Sequence, residues 1–227
     1  MQKFNIAIDG PAGAGKSTVA RMVAGALGFI YVDTGGMYRA VTWKVLQEGL
    51  NPEQTADVIA VARRLEIELQ PRPDGQQVWV DGVDVTKWIR SAEVNGYVSK
   101  IASIGEVRQI LVTKQKRLAT AKGVVMDGRD IGTQVLPDAE LKIFLTASVH
   151  KRAERRFKEM QDGGDRDATL QQLEQDIARR DQMDQEREIS PLVRADDALL
   201  IDSTTMSIPE VVDAILGLCR DKAGGGK

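Results

Sequence analysis

Eight residues near the start of the chain match a phosphate-binding pattern, G-x-x-x-x-G-K-S, which runs from Gly10 to Ser17. An apolar run at 4–8 precedes it and suits a strand buried on both faces. Helical spacing follows, with an apolar stripe formed by Val19, Met22, Val23, Ala26 and Leu27. A strand, a glycine-rich turn and a helix in this order aim backbone N–H groups at a phosphate. Because the motif and its context coincide, we favour a phosphate site over an incidental glycine-rich turn.

The rest of the chain continues an α/β layered pattern. Further strand-like runs lie at 29–33, 124–126, 141–145 and 199–201. We predict helices at 37–46, from Asn51–Pro52 to Arg64, from the Ser103/Glu106 pair to Leu118, at 149–160, at 169–186 and after the Ser207/Glu210 pair. Asn51 and Pro52 are typical of an N-cap and first helical position, and both Ser/Glu pairs match capping boxes.

One segment has a different pattern of apolar and polar residues. Between 65 and 69 apolar and polar residues alternate, and Pro73-Asp74-Gly75 then turns the chain into a second apolar run at 78–80. Alternation indicates a strand with one wet face, unlike the buried runs elsewhere. We therefore predict a small antiparallel insert at about 65–90.

Composition excludes several classes of protein. The 227 residues are 42% hydrophobic and 28% charged, as in an ordinary globular protein, and the formal net charge of -2 gives no basic field for nucleic acid. The lone Cys219 rules out an internal disulfide, and the lone His150 argues against a Ser-His-Asp triad. No run approaches 18 apolar residues, so we expect no membrane partner and a cytoplasmic location.

The phosphate-loop motif assigns roles to its own residues. We expect the ATP phosphates to contact Gly10, Pro11, Ala12, Gly13, Ala14, Gly15, Lys16, Ser17 and Thr18. The Lys16 ammonium would reach the β- and γ-phosphates, and the Ser17 hydroxyl would bind Mg²⁺.

A phosphate loop alone does not choose between a nucleotide switch and a small kinase. Switch GTPases read guanine through an N-K-x-D segment, and this sequence contains no Asn-Lys pair. A kinase needs cations where two phosphorylated substrates meet, and Arg39 and Arg129 each follow a predicted strand. Arg180, Asp184 and Arg187 have the spacing of one helical face. From spacing alone this trio could equally be a surface salt-bridge ladder.

Several longer motifs are more specific. They are Ile8 to Thr18, Asp33-Thr34-Gly35, Met37-Tyr38-Arg39, Asp127 to Thr133 and Asp202-Ser203-Thr204-Thr205. Together they resemble those of the bacterial cytidylate kinases, and the resemblance runs over nearly the whole chain, including the β-rich insert. Thr34 stands where several members of that family have serine, and either residue supplies a hydroxyl.

The resemblance implies a kinase core with a five-stranded parallel sheet, a monophosphate-binding region and a lid. The implied division is core at 1–38, 122–150 and 169–227, monophosphate-binding region at 39–121, and lid at 151–168. The implied reaction is ATP + CMP ⇌ ADP + CDP, with Mg²⁺ as cofactor, ATP as co-substrate and CMP or dCMP as acceptor. We expect a monomer, and another monophosphate acceptor such as UMP is the alternative.

The resemblance also assigns site residues. CMP would be held by Thr34, Arg39, Ser99, Arg108, Arg129, Asp130, Asp184 and Arg187, of which Ser99, Arg108 and Asp130 would read cytosine. The catalytic set would be Lys16, Arg129, Arg180 and Arg187. Asp33 and Asp127 would hold water on the Mg²⁺. The basic helix that carries Arg155 and Arg156 would close over ATP, with Gly163-Gly164 as a hinge. Without the resemblance, a surface hydroxyl at Ser99 and a solvated charge at Arg108 would be the preferred interpretations.

Overall fold

Parallel strands form the centre of the computed structural model, which describes residues 3–72, 75–163 and 168–224. In chain order these residues form β1 (Asn5–Asp9), α1 (Lys16–Leu27), β2 (Ile30–Asp33), α2 (Thr34–Gln47), α3 (Thr55–Arg64), β3 (Ile67–Arg72), β4 (Gly75–Val80), β5 (Val83–Asp84), α4 (Ala92–Ala102), α5 (Gly105–Leu118), β6 (Val124–Gly128), β7 (Leu141–Thr146), α6 (Val149–Asp162), α7 (Leu170–Glu186), β8 (Leu199–Asp202) and α8 (Ile208–Gly224). A 3₁₀ turn covers Trp88–Arg90, and a π turn covers Ile131–Val135.

The main sheet has five parallel strands in the order β2-β6-β1-β7-β8, which confirms the predicted fold class. Every residue of β1 is buried, as expected for a central strand covered on both faces. The register pairs Ile8 with Asp127, and Asp33 with Asp127. The carboxyl ends of three neighbouring strands therefore meet beside the phosphate loop.

The predicted insert is also present. Strands β3, β4 and β5 form a separate antiparallel sheet, with Ile67 opposite Val80 and Leu69 opposite Val78. Val78 and Val80 are buried against an apolar cluster that includes residues of α2, α3 and α5, so this sheet has one packed face and one wet face. The turn at Pro73-Asp74 lies outside the described residues.

Apolar residues pack in two layers on the main sheet. One cluster joins α1 and α8 to β1 and β7, and a smaller one lies between β6 and the π turn. On α1 the buried face is Val19, Ala20, Val23 and Ala24. The predicted stripe was wrong at Met22 and Ala26, which are exposed, because the two small alanines lie against neighbouring elements instead.

Several predicted helix starts differ from those observed. Helix α2 begins at Thr34, three residues early, because the Asp33 side chain accepts a hydrogen bond from the N–H of Gly36 at 2.8 Å. Asn51–Pro52 does not open α3. Instead the Asn51 carboxamide accepts from the N–H of Glu53, forming a turn before Thr55.

The two predicted capping boxes had opposite outcomes. The Ser103/Glu106 box was wrong, because the Ser103 hydroxyl donates backwards to the carbonyl of Lys100 at the end of α4. The Ser207/Glu210 box is confirmed: the N–H of Ser207 donates to the Glu210 carboxylate at 2.8 Å. The N–H of Glu210 donates to the Ser207 hydroxyl at 3.4 Å.

Within the described part of the chain, no helix has both the length and the apolar character required to cross a membrane. The predicted hinge at Gly163-Gly164 lies at a boundary, because only Gly163 is among the described residues.

Candidate active site

The phosphate loop joins the end of β1 to the start of α1, and no residue with a side chain fits at its first glycine. Gly10 has φ 149°, and a Cβ on it would lie 1.9 Å from the carbonyl oxygen of Leu145. Gly13 has φ 74°, and a Cβ there would lie 3.2 Å from the Cβ of Arg152. The loop therefore follows a path that only glycine permits at these two points, and that path leaves room for a ligand on the other side.

Lys16 and Ser17 begin α1 with their side chains at the sheet edge. The Lys16 ammonium is buried and donates to the carbonyl of Pro11 at 2.7 Å. Burial, and then the nearby positive charge of Arg129, hold the pKa of Lys16 well below its ordinary value. The Ser17 hydroxyl donates to Asp127 at 2.8 Å. A phosphate dianion beside Lys16 would favour its charged form.

Two buried carboxylates lie at the ends of β2 and β6. Asp127 accepts from the hydroxyls of Ser17 and Tyr31, and burial, with Asp33 adding to it, raises its pKa to about 6. Burial alone would raise the pKa of Asp33 too, but Arg39 at 2.7 Å and Arg90 at 3.4 Å hold it below its ordinary value. The pKa values of the two carboxylates thus shift in opposite directions because their neighbours differ.

The residues predicted to act together lie around one cavity of about 200 Å³ beside the phosphate loop. From the loop and the strand ends it is lined by Ala12, Gly13, Lys16, Ser17, Asp33 and Asp127. From the rest of the chain it is lined by Thr34, Tyr38, Arg39, Ser99, Arg108, Arg129, Asp130, Arg180, Asp184 and Arg187. All the predicted CMP and catalytic residues therefore share a single enclosed space with the loop.

Arg180, Asp184 and Arg187 do not form a surface salt-bridge ladder. Arg129 donates to Asp184 at 2.8 Å, and Arg187 lies 3.9 Å from the same carboxylate. Arg180 is half-buried, and its Nε is a buried atom with no hydrogen-bond partner among the described residues. Desolvation followed by repulsion from Arg129 lowers the pKa of Arg180 to about 10. The prediction that one helical face carries all three was wrong for Arg187, because α7 ends at Glu186 and Arg187 continues in an extended conformation.

The three residues assigned to cytosine also meet in the cavity. The guanidinium of Arg108 pairs with Asp130 in a short contact and donates to the carbonyl of Ala102 at 2.9 Å. It also lies over the ring of Tyr38, with 5.3 Å to the centroid. Arg108 is 3% exposed, so it is not a solvated surface charge. Among the described residues, neither its Nε nor the Tyr38 hydroxyl has a hydrogen-bond partner, and both atoms are buried, which leaves polar groups for a ligand to satisfy.

The two arginines assigned to ATP, Arg155 and Arg156, do not line this cavity. Arg155 donates to the carbonyl of Ser203 at 2.7 Å and to that of Ala14 at 3.3 Å, so it contacts the outside of the loop. Arg156 is half exposed and faces Glu159 at 3.4 Å.

Cys219 is buried in the apolar layer, and burial raises the pKa of its thiol to about 11. His150 is exposed.

Sequence reasoning missed several polar residues around the site. Asp9 accepts from the N–H groups of Ile131 and Gly132 at 2.8 and 2.7 Å, which fixes the turn after Asp130. Gln76 of the insert accepts from the N–H of Asp33 at 3.0 Å and donates to the carbonyl of Tyr31 at 2.7 Å. Asp9 directly precedes the motif and was a detectable signal, whereas nothing in the sequence marks Gln76.

A second, wider cleft of about 640 Å³ lies between α1 and the insert, and its lining includes Arg72, Trp88 and Arg90. The ring of Trp88 is half exposed and stacks on Trp43, with 5.9 Å between the centroids. Three predicted functional residues also line this cleft, Ser17, Thr18 and Asp33.

Comparison with known proteins agrees with the site geometry. The family model described as "Cytidylate kinase" matches residues 6–221. The chain belongs to the cytidylate kinase family. A relative named "Cytidylate kinase" from Bacillus pumilus (strain SAFR-032) is 53% identical over 215 residues, which are 95% of each chain. Another of that name, from Desulfitobacterium hafniense (strain Y51), is 51% identical over 225 residues, or 99% of this chain and 96% of the relative.

Among solved structures, a shikimate kinase from Bacteroides thetaiotaomicron aligns with a TM-score of 0.50. It is 12% identical, and the alignment covers 96% of this chain and 99% of that one. At this identity the likeness concerns the fold alone.

Proposed function

We propose that this member of the cytidylate kinase family transfers the γ-phosphoryl group of ATP to CMP and dCMP, giving CDP and dCDP. The single observation that carries the proposal is the shared cavity, in which the phosphate loop faces Arg39, Arg129, Arg180 and Arg187. A cavity with one phosphate loop and four further cations suits two phosphorylated substrates whose phosphates must approach each other.

Phosphoryl transfer spreads negative charge over several oxygens, so catalysis depends on placing cations where that charge develops. Lys16, Arg129, Arg180 and Arg187 are the proposed catalytic set. Half-buried Arg180 has no acidic partner within ion-pair distance in the described ranges, so its charge is available to a phosphate. Arginine suits this role because its guanidinium stays ionised and binds phosphate through two N–H groups.

The donor set at the loop fits Mg²⁺. The Ser17 hydroxyl and the carboxylates of Asp127 and Asp33 are hard oxygen ligands, and Ser17 is already oriented by its bond to Asp127. No group of three or more His, Cys, Asp or Glu side chains among the described residues is placed to hold a metal alone. Mg²⁺ that binds through water and ATP phosphates needs no such cage, and it would neutralise charge on those phosphates.

The acceptor end of the cavity contains the groups that cytosine requires. The exocyclic amine of cytosine is a donor, which suits the Asp130 carboxylate. The N3 and O2 atoms of the base are acceptors, which suit Arg108 and the Ser99 hydroxyl. Thr34 and Arg39 would hold the CMP phosphate, and Asp184 would hold the sugar. Gly10 to Thr18, with Arg155 and Arg156, would hold ATP.

The division into core, monophosphate-binding region at 39–121 and lid at 151–168 belongs to the same proposal, as do a monomeric state and a cytoplasmic location. The insert contacts the end of β2 through Gln76 and Arg90, which supports a monophosphate-binding region that includes this insert.

ADP release with Mg-ATP and a panel of CMP, dCMP, UMP, AMP and GMP tests the proposal. We expect fast turnover with CMP and dCMP and slow hydrolysis without an acceptor. Preferred turnover with UMP would favour the alternative acceptor. Tight guanine-nucleotide binding with no acceptor dependence would instead indicate a switch.

A further inference from the structure

Arg152 is one of seven consecutive residues, 150–156, that are nearly all charged, yet it is buried. It is 4% exposed, whereas Arg156 on the same helix is half exposed. Its guanidinium makes three directed hydrogen bonds. Nε donates to the carbonyl of Ala147 at 2.9 Å, Nη1 to the carbonyl of Ala12 at 2.9 Å, and Nη2 to Asp181 at 2.6 Å.

The bond to Ala12 reaches the phosphate loop across 140 positions of sequence. In a trans peptide the carbonyl of one residue and the N–H of the next point in opposite directions. Because Arg152 holds the Ala12 carbonyl on the outer side of the loop, the N–H of Gly13 is aimed the other way. That direction is towards the cavity, which Ala12 and Gly13 both line.

The packing around this peptide leaves it little freedom. A Cβ on Gly13 would lie 3.2 Å from the Cβ of Arg152, so the helix approaches the loop closely. Arg155, one turn further along α6, donates to the carbonyl of Ala14 at 3.3 Å and by the same geometry directs the N–H of Gly15. Two arginines therefore hold alternate carbonyls of the loop from outside.

Asp181 holds Arg152 in this position. It follows Arg180 on α7, and one of its oxygens is bonded to Arg152. The other oxygen is buried and has no hydrogen-bond partner in the part of the chain that the structure describes. A buried carboxylate fixes a guanidinium more firmly than a carbonyl does, because the bond is charge-assisted on both sides. The phosphate loop is thereby connected to the helix that carries Arg180 and Asp184.

We infer that Arg152 is a positioning residue, which aims the phosphate-loop N–H groups at the ATP phosphates without contacting nucleotide. The inference rests on the proposed binding of ATP to this loop. It also separates Arg152 from Arg156, because the first acts on the loop and the second, half exposed on the same helix, is proposed to contact ATP itself.

The test compares nucleotide affinity in variants that avoid an unpaired buried charge. Replacing both partners, Arg152→Met with Asp181→Leu, removes the pair and frees the Ala12 carbonyl. We expect ATP to bind about tenfold more weakly by calorimetry without acceptor, the equivalent of one well-aimed hydrogen bond to phosphate, and CMP affinity to be unchanged. In ¹⁵N–¹H spectra, ATP should move the Gly13 amide resonance less than in the wild type.

The matched control is Asn5→Ala. Asn5 is also buried and polar, donates to the carbonyl of Ala119 at 3.0 Å, and lies at the opposite end of β1 from the loop. It should lower stability without changing ATP affinity. Equal weakening of ATP binding by both would show general destabilisation and overturn the inference.

Arg152→Lys decides the matter if the double variant does not fold. Lysine keeps the charge beside Asp181 but cannot serve three acceptors in one plane, so ATP affinity and the Gly13 shift should both fall. A folded variant of either kind with wild-type ATP affinity and an unchanged Gly13 response would refute the inference. Wild-type enzyme that binds ATP but does not phosphorylate CMP would refute the proposed function alone.

Discussion

Replacing Asp130 by alanine removes an acceptor for cytosine and the partner of a buried cation at once. The side chains of Asp130 and Arg108 are 6% and 3% exposed. A buried charge that loses its partner costs about 3–5 kcal/mol. Arg108 keeps its bond to the Ala102 carbonyl and its place over Tyr38, so we expect a loss of unfolding free energy near the lower end, about 3 kcal/mol.

The effect on base selection is separate from the effect on stability. An unpaired cytosine amine in the cavity costs about 1–3 kcal/mol, which corresponds to about a 5- to 150-fold fall in kcat/KM for CMP. ATP affinity should stay the same, because Asp130 lies on the acceptor side. Uracil presents a carbonyl oxygen that the Asp130 carboxylate repels, so discrimination against UMP should weaken.

The assay is kcat/KM for CMP and for UMP, measured well below the melting temperature of each variant. Asp130→Asn serves as the second variant, because it keeps the shape and offers an N–H₂ donor that suits uracil. The CMP/UMP ratio should fall in Asp130→Ala and fall further in Asp130→Asn. An unchanged ratio in both would mean that Asp130 serves only to hold Arg108, and that cytosine is selected by other groups.

Other residues of the site give three further predictions. Lys16→Ala should lower kcat by about two orders of magnitude or more while circular dichroism shows an intact fold, because charge stabilisation between the β- and γ-phosphates is lost. Near-native turnover would contradict the assigned role. Asp127 has an ordinary pKa of 3.8 and a folded pKa of about 6, so its ionisation opposes folding increasingly across that range. Asp127→Asn should therefore raise the free energy of unfolding by about 1–3 kcal/mol above pH 6 and leave it unchanged below about pH 4, as measured by urea denaturation. Gly10→Ala should prevent stable folding, since its methyl group would overlap the Leu145 carbonyl between β1 and β7; a variant with wild-type melting temperature would show that the loop can move aside.

The central strands β1, β6 and β7 were predictable because they are buried on both faces and mostly apolar, as at 4–8 and 141–145. The edge strands β2 and β8 have exposed residues, but their short apolar runs still indicated strands. The insert was predictable for the opposite reason, since its alternation reflects one wet face. Helix starts were less predictable, because Asn51 and Ser103 each have a second local hydrogen bond available, and in both cases that bond formed.

The site shows where sequence reasoning stops. Arg39 and Arg129 were located by the rule that ligands bind beyond the carboxyl ends of parallel strands, and both lie at the cavity. Ser99, Arg108 and Asp130 come from three separate segments, and only the family resemblance suggested that they meet. Nothing in the sequence set Arg152 apart from the other cations of its helix, because a row of charges does not reveal which one faces the interior.

The bond pair made by Gln76 has a consequence for how the molecule behaves at high concentration. Strand β2 is the last strand on its side of the main sheet, and its outward peptide groups are open to pairing with a strand from another molecule. The Gln76 carboxamide accepts from the N–H of Asp33 and donates to the carbonyl of Tyr31, as a neighbouring peptide unit would. The insert therefore also protects this edge from pairing with a strand of another molecule. A cytidylate kinase with a shorter insert would need other groups to occupy the free N–H and carbonyl groups of β2.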